Sequence, residues 1–231
     1  MSSSIPNGGH AVMAQRREPL DSLELFPTPP WATRALLEHV IGDVRGGIAW
    51  EPACGLGHMS DVLRERFGKV IASDVFDYGG HDVGSFVGTG PDVIETPRPA
   101  PHWIIFNPPF SLGVEFVERA LRDAREGVAC LVRTQWLEGE ERYTRLFRDA
   151  PPTIFAPFVE RVPMVKGRWD PQASTATAYA WFVWRRLPLL PGQTGLGSWG
   201  QSTTLMWIPP GCRKRLTKPD DVQRFAGRGA A

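Results

Sequence analysis

The sequence predicts an α/β protein: a mainly parallel central sheet with helices on both faces. Two observations predict it. Short apolar runs that read as strands alternate along the chain with segments of helical periodicity. The three least ordinary sequences, Glu51 to Gly57, Asp74 and Asn107-Pro108-Pro109-Phe110, each stand at the end of such a run. Parallel sheets bind their ligands at the carboxyl ends of strands.

The elements follow in order. Residues 1–24, rich in Ser and Gly and then mixed in charge, are expected to be poorly ordered. A helix is expected from Thr28, with Thr28 as its cap, Pro29 at the first helical position and Ala32, Leu36 and Val40 on one face. Gly47 to Trp50 reads as a strand, Met59 to Phe67 as a helix, and Lys69 to Ala72 as a second strand running into Asp74. The Gly- and Pro-rich stretch Tyr78 to Pro101 reads as loop, with one short element near Val93. Trp103 to Phe106 is a buried strand. Ser111 is expected to cap a helix with Val114, Val117 and Leu121 on one side. Val128 to Val132 is a strand, Glu138 to Phe147 a helix, and Ile154 to Phe155 strand-like. Pro163 to Thr175 is a loop, and Ala178 to Trp184 and Thr204 to Ile208 are strands. The expected organisation is one domain over residues 25–186 and a short, basic, Gly/Pro-rich extension over 187–231.

Composition narrows the function. A chain of 231 residues with 42% apolar and 22% charged residues is an ordinary globular domain. No apolar run reaches the roughly 18 residues of a membrane span. Met1 to Gly9 lacks the basic-then-apolar pattern of a signal peptide, so a cytoplasmic protein is expected. The 3 cysteines, Cys54, Cys130 and Cys212, are scattered and form no CxxC, so neither a metal site nor a disulfide is expected. The net charge of +1 hides an asymmetry: residues 161–231 carry 11 Lys or Arg against 3 Asp, beside a net acidic body. Of 9 tryptophans, five fall in that basic third: Trp169, Trp181, Trp184, Trp199 and Trp207. Cations with interleaved aromatics suit phosphates and bases; a solvated surface and a packed core would account for them equally well.

The strand ends carry the chemistry. Gly55 and Gly57 allow a tight turn and a close ligand approach, and the helix after them offers free amide donors. Asp74, about 20 residues on, can accept the hydroxyls of a ribose. Position 60 is Ser, so the third glycine of the dinucleotide fingerprint is missing. In Asn107-Pro108-Pro109-Phe110 the prolines hold the chain stiff and extended. The Asn107 side-chain oxygen and the Pro108 carbonyl can then act as two fixed acceptors for an NH2 group, and Phe110 offers a face for a planar group.

Taken together, the chain resembles class I S-adenosylmethionine-dependent methyltransferases, in particular the amino-methyltransferases with an Asn-Pro-Pro-aromatic motif, of which adenine-specific DNA methyltransferases are the best-known members. The resemblance covers roughly residues 25–185 and implies a Rossmann-like methyltransferase fold. It implies that Asn107, Pro108, Pro109 and Phe110 are catalytic. It implies a cofactor loop of Glu51, Pro52, Ala53, Cys54, Gly55 and Gly57, with Asp74 on the ribose and Val75 against the adenine ring of S-adenosylmethionine. Asp92, with Asp82 and Asp77 as rivals, would bind the adenine amino group of the cofactor. Phe26, Thr28 and Pro29 would contact its methionine end. The reaction implied is direct in-line displacement without a metal. The partner implied is DNA, with Arg161, Lys166, Arg168, Trp169, Arg213, Lys214 and Arg215 as contacts, in an enzyme like the small solitary ones of phage. RNA adenine methyltransferases and protein glutamine methyltransferases share closely related motifs. An inactive cofactor- or nucleic-acid-binding module is the reading from another class.

Overall fold

The structure, a computed structural model, describes residues 24–187 and 197–228. The expectations for residues 1–23 and for the Gly/Pro-rich stretch 188–196 lie outside the described residues.

A single 8-stranded sheet organises the chain. Its strands are β1 (Ile48–Glu51), β2 (Lys69–Asp74), β3 (Asp82–Val83), β4 (Trp103–Phe106), β5 (Gly127–Arg133), β6 (Ile154–Pro157), β7 (Tyr179–Arg185) and β8 (Thr204–Leu205). The order across the sheet is β3-β2-β1-β4-β5-β7-β6-β8. Only β7 runs antiparallel, paired with β5 on one side and β6 on the other. This is the expected α/β architecture, a mainly parallel, Rossmann-like sheet with helices on both faces.

The central strands are apolar throughout because both faces of the sheet are covered. Side chains alternate between two cores. Ala49, Ile105, Ala129, Leu131 and Trp181 face one, with α1 (Pro30–Ala35), its π-helical continuation Leu36–Ile41, α2 (His58–Leu63) and α5 (Cys212–Leu216). Trp50, Ile104, Phe106, Val128, Cys130, Phe182 and Trp184 face the other, with α3 (Gly113–Asp123) and the turn Tyr143–Phe147 that continues α4 (Glu140–Arg142).

Several local expectations are corrected. Neither Thr28 nor Ser111 caps a helix. The first helix starts at Pro30, so Pro29 takes the cap position rather than the first helical one and no side chain caps the helix; the Thr28 hydroxyl lies one residue earlier and accepts from Asn107. Ser111 sits inside a 3-10 turn, Phe110–Leu112, so α3 begins only at Gly113. The loop after Tyr78 contributes β3 at the sheet edge, parallel to β2, and Ser85 bridges Val93. Arg119 on α3 pins that loop by donating to the carbonyls of Phe86 and Ile94, at 2.5 Å each. Strand β8 stops at Leu205.

Residues 208–225 contribute to the same core. Ile208, Cys212, Leu216 and Phe225 pack with α1 and α2. Their basic neighbours therefore sit on a segment fixed to the fold, not on a free basic arm. Among the described residues no helix is long and apolar enough to cross a membrane.

Candidate functional site

Strand order reverses between β1 and β4, and a cavity of about 380 Å³ opens at their carboxyl ends. That reversal point is where an open parallel sheet leaves room for a ligand. The cavity joins four pieces of chain: Glu24 to Thr28, the loop after β1, the end of β2, and Asn107 to Leu112.

The loop after β1 turns through two glycines with positive φ, Gly55 at +48° and Gly57 at +76°, a backbone that favours glycine. A Cβ on Gly55 would come within 2.7 Å of the Leu25 side chain. The Asp74 carboxylate ties β2 to this loop. One oxygen accepts from the Gly55 amide at 2.8 Å and the other from the Phe76 amide at 3.0 Å. A carboxylate has about four lone-pair sites, so each oxygen keeps capacity for a ligand hydroxyl.

At the end of β4, the Asn107 amide nitrogen donates to the Phe26 carbonyl at 3.0 Å and to the Thr28 hydroxyl at 3.3 Å. Holding the NH2 in this way leaves Oδ1 as the outward acceptor. Phe110 is fixed beside it: its amide donates to Glu24 at 2.5 Å, its ring lies 5.4 Å from that of Phe26, and the Arg133 guanidinium covers it at 4.6 Å.

The charges in the cavity are one-sided. Three carboxyl groups, Glu24, Glu51 and Asp74, line it, and among the described residues no Lys or Arg does. Burial pushes the Glu51 carboxyl well above the usual range, partly offset by the hydrogen bond it accepts from Ser60. His58, also in the wall, is pushed down to about 4 by burial, so its ring is neutral at physiological pH. Such a cavity suits a cationic ligand and opposes the phosphates of a dinucleotide.

Of the residues singled out in the sequence, Phe26, Thr28, Glu51, Ala53, Cys54, Gly55, Asp74, Val75, Asn107 and Pro109 line this cavity together. Pro108 and Phe110 open onto an adjoining cavity that shares Pro109. Pro29, Pro52 and Gly57 shape the chain behind the wall rather than lining it. Asp92 is not brought into the cavity: it is exposed, and its carbonyl accepts from the Ser85 amide. Asp77 and Asp82 are exposed as well and lie outside the lining. At that end the wall is instead Val75 and Tyr78.

The basic loop does reach the site: the Gly167 amide donates to the Leu25 carbonyl at 2.8 Å, and Met164 lies 3.7 Å from the Asn107 amide nitrogen. Arg161, Lys166 and Arg168 on it are exposed, and Arg168 pairs with Asp170 at 3.6 Å. Trp169 is a correction. It is 4% exposed and packs edge-on against Phe225, so it has no face to offer a base. Arg213 is likewise committed, donating to the carbonyls of Pro171 and Ala173, and Arg215 pairs with Glu38 at 2.6 Å. Lys214 is exposed.

Sequence reasoning missed Glu24, His58 and Tyr78. Tyr78, four residues beyond Asp74, was the one within reach of a local signal. Glu24 and His58 act through partners far away in the chain. Among the described residues no group of His, Cys, Asp and Glu side chains could hold a metal ion.

No protein-family model matches the chain, and no curated protein matches it. Solved structures with a similar fold do exist. One is a proposed RNA methyltransferase from Pyrococcus horikoshii, 16% identical, with 72% of this chain and 90% of that chain covered and a TM-score of 0.45. Another is a modification subunit of a proposed type I restriction enzyme from Vibrio vulnificus, 13% identical, with 87% of this chain and 51% of that chain covered and a TM-score of 0.48. A third is a dimethyladenosine transferase from Plasmodium falciparum, 12% identical, with 69% of this chain and 62% of that chain covered and a TM-score of 0.43. The chain thus spans about half the length of the restriction-enzyme subunit. At such scores these likenesses say nothing about what this chain acts on.

Proposed function

We propose that this chain transfers a methyl group from S-adenosylmethionine to the exocyclic amino nitrogen of adenine in DNA. The observation that carries the reading is the Asn107 amide, anchored through its nitrogen by Phe26 and Thr28 at the edge of an acidic cavity. When bound, S-adenosylmethionine supplies an electrophilic methyl on a sulfonium.

The residues fit that cofactor. Asp74 has lone pairs for the ribose hydroxyls, Val75 and Tyr78 offer contact to its adenine, and the carboxyl group of Glu24 complements its positive charge, joined by Glu51 only where rising pH ionises it. Asn107 Oδ1 and the Pro108 carbonyl accept the two hydrogens of the target amine. Accepting both draws the nitrogen lone pair out of conjugation and aims it. An amine so held would face the methyl that a bound cofactor would supply, taking it from the sulfonium sulfur, and the surplus amine proton would leave to water. Phe110 supports the ring that carries the amine. In duplex DNA that adenine must leave the stack. Exposed Arg161, Lys166 and Arg168, on the loop beside Asn107, suit phosphates, which position without specifying sequence.

The test is transfer of labelled methyl from S-adenosylmethionine to DNA, RNA and cell protein offered in parallel. Label in DNA is expected. Label confined to RNA or to protein glutamine contradicts the assigned substrate, and label nowhere contradicts the activity.

Two variants probe the two halves of the site. Phe110→Ala should lower kcat/KM for the nucleic acid about 10- to 100-fold, the loss expected for one base–aromatic stack, and Phe110→Tyr should retain activity. Steady-state kinetics checks this; equal losses in both variants would refute a stacking role. Glu51→Gln keeps an acceptor for Ser60 and removes a buried charge. A folded-state carboxyl held above its unfolded value favours unfolding as pH rises through and beyond the ordinary range. The stability of Glu51→Gln relative to wild type should therefore grow as pH rises, while affinity for the cationic cofactor falls about tenfold at alkaline pH. Denaturant titrations and calorimetry across pH read both. A variant that loses stability as pH rises would show that Glu51 stabilises the fold by its charge.

A further inference from the structure

The second cavity, about 220 Å³, lies across Pro109 from the first and has the opposite electrical character. Its wall includes Pro108, Phe110, Arg133, Gln135, Trp136 and Arg142, with no carboxylate among the described lining residues. The end of β4 thus separates an acidic chamber from a cationic, aromatic one.

Most of that wall is rigid. Trp136 packs edge-on against Phe147 and Phe182, with ring centroids 5.6 and 5.2 Å away. Arg142 is committed, donating to the carbonyls of Trp136, at 2.8 Å, and Glu138. Arg133 differs. It projects from the last residue of β5, is exposed, and lays its planar guanidinium over the Phe110 ring, with the Tyr179 hydroxyl as its one polar partner and no backbone carbonyl holding it among the described residues. That face is where a planar substrate would stack.

We propose that Arg133 is a displaceable cover that selects nucleotides, resting on the reading of Phe110 as the substrate's stacking platform. In the free enzyme the guanidinium occupies the ring as a planar cation does. A base that enters must displace it. A nucleotide brings with it a phosphate that the displaced guanidinium grips through paired hydrogen bonds. A neutral planar amide, such as a glutamine side chain, offers no such exchange. Selection for an anionic, heteroaromatic substrate thus follows from one residue, and the acidic chamber beyond Pro109 keeps that anion out of the cofactor's place.

The experiment compares two short single-stranded oligodeoxynucleotides, one with ordinary phosphodiesters and one with uncharged methylphosphonate linkages on either side of the target adenine. Wild type should favour the phosphodiester about tenfold in kcat/KM, as for loss of one charge-assisted contact. In Arg133→Ala that ratio should approach one, while activity on the uncharged oligonucleotide equals or exceeds wild type, because the cover is gone. Arg133→Lys should restore part of the ratio, keeping the charge without the fork. The salt dependence of binding should also lose about one phosphate's worth of slope in Arg133→Ala. Unchanged cofactor affinity shows that the variants are folded. A ratio the same in Arg133→Ala as in wild type, or an equal loss on both oligonucleotides, overturns the proposal while leaving the methyltransferase reading intact. Wild-type transfer to glutamine peptides and not to DNA overturns both this proposal and the assignment of adenine in DNA as the substrate.

Discussion

Replacing Asn107 with alanine is expected to cut methyl transfer about 1000-fold while leaving affinity for S-adenosylmethionine little changed. The size follows from the loss of a pre-organised hydrogen-bonding group at a reacting centre, which typically costs 100- to 1000-fold or about 3–4 kcal/mol. The selectivity follows from geometry. Asn107 touches the cavity at its edge, whereas the carboxyl groups proposed to bind the cofactor, Glu24, Glu51 and Asp74, line its interior. Asn107→Asp is informative as a second variant. It keeps an acceptor but loses the donors to Phe26 and Thr28, and it sets a carboxylate oxygen against the Phe26 carbonyl. It should fall between alanine and wild type. Single-turnover rates together with calorimetric cofactor titration check both variants. An alanine variant with wild-type turnover would remove Asn107 from the chemistry.

Replacing Asp221 with alanine is expected to destabilise the protein by about 3 kcal/mol, the lower end for breaking a buried ion pair. For a chain of this size that corresponds to roughly 10 °C in Tm. Asp221 is fully buried, and both its oxygens accept from Arg34, at 2.6 and 2.7 Å. Arg34 in turn spans Glu65 and the Leu216 carbonyl. Without Asp221 a buried guanidinium loses its main counter-charge. The consequence should reach the cavity, because the segment after Asp221 is braced against the loop after β1, where Arg228 donates to the Leu56 carbonyl at 3.3 Å, and against α2. His58 Nε2 donates to the Phe225 carbonyl at 3.1 Å, and Arg228 pairs with Asp61 at 2.8 Å. A higher KM for cofactor should therefore accompany the lower Tm. Thermal unfolding with and without cofactor measures both, and a variant with wild-type Tm would show that the end of the chain is not anchored through this pair. The same network sets an acid limit. Burial would raise the Glu65 carboxyl, but hydrogen bonds from Arg34 and Lys218 outweigh it and hold it near 2. Its contribution to stability is present above the ordinary carboxylate range and is lost as pH falls toward 2.

What the sequence made legible follows from how local each signal is. Strand β4 is found residue for residue, because an unbroken apolar run ends at Asn107 and two prolines. The cofactor-loop glycines and Asp74 stand at strand ends, where spacing alone suggests a ligand. Signals that depend on distant partners were misread. Thr28 has the chemistry of a helix cap, yet its hydroxyl serves Asn107, 79 residues away. Trp169 lies among cations and reads as a stacking platform, but Phe225 buries it. Arg34 and Asp221 are 187 residues apart, and neither residue announces the other. The division near residue 186 rested on composition. Ile208, Cys212 and Leu216, which join that segment to the core, recur every four residues, but the run is only two turns long and is interrupted by Pro209, Pro210 and Gly211.

The most direct test of the central claim is mass spectrometry of nucleosides from unmethylated DNA incubated with the protein and S-adenosylmethionine carrying a heavy methyl group. The geometry at Asn107 and Pro108 predicts heavy N6-methyladenine with wild type and almost none with Asn107→Ala. A heavy methyl on C5 of cytosine or on a ring nitrogen, or equal N6-methyladenine from both proteins, would contradict the account.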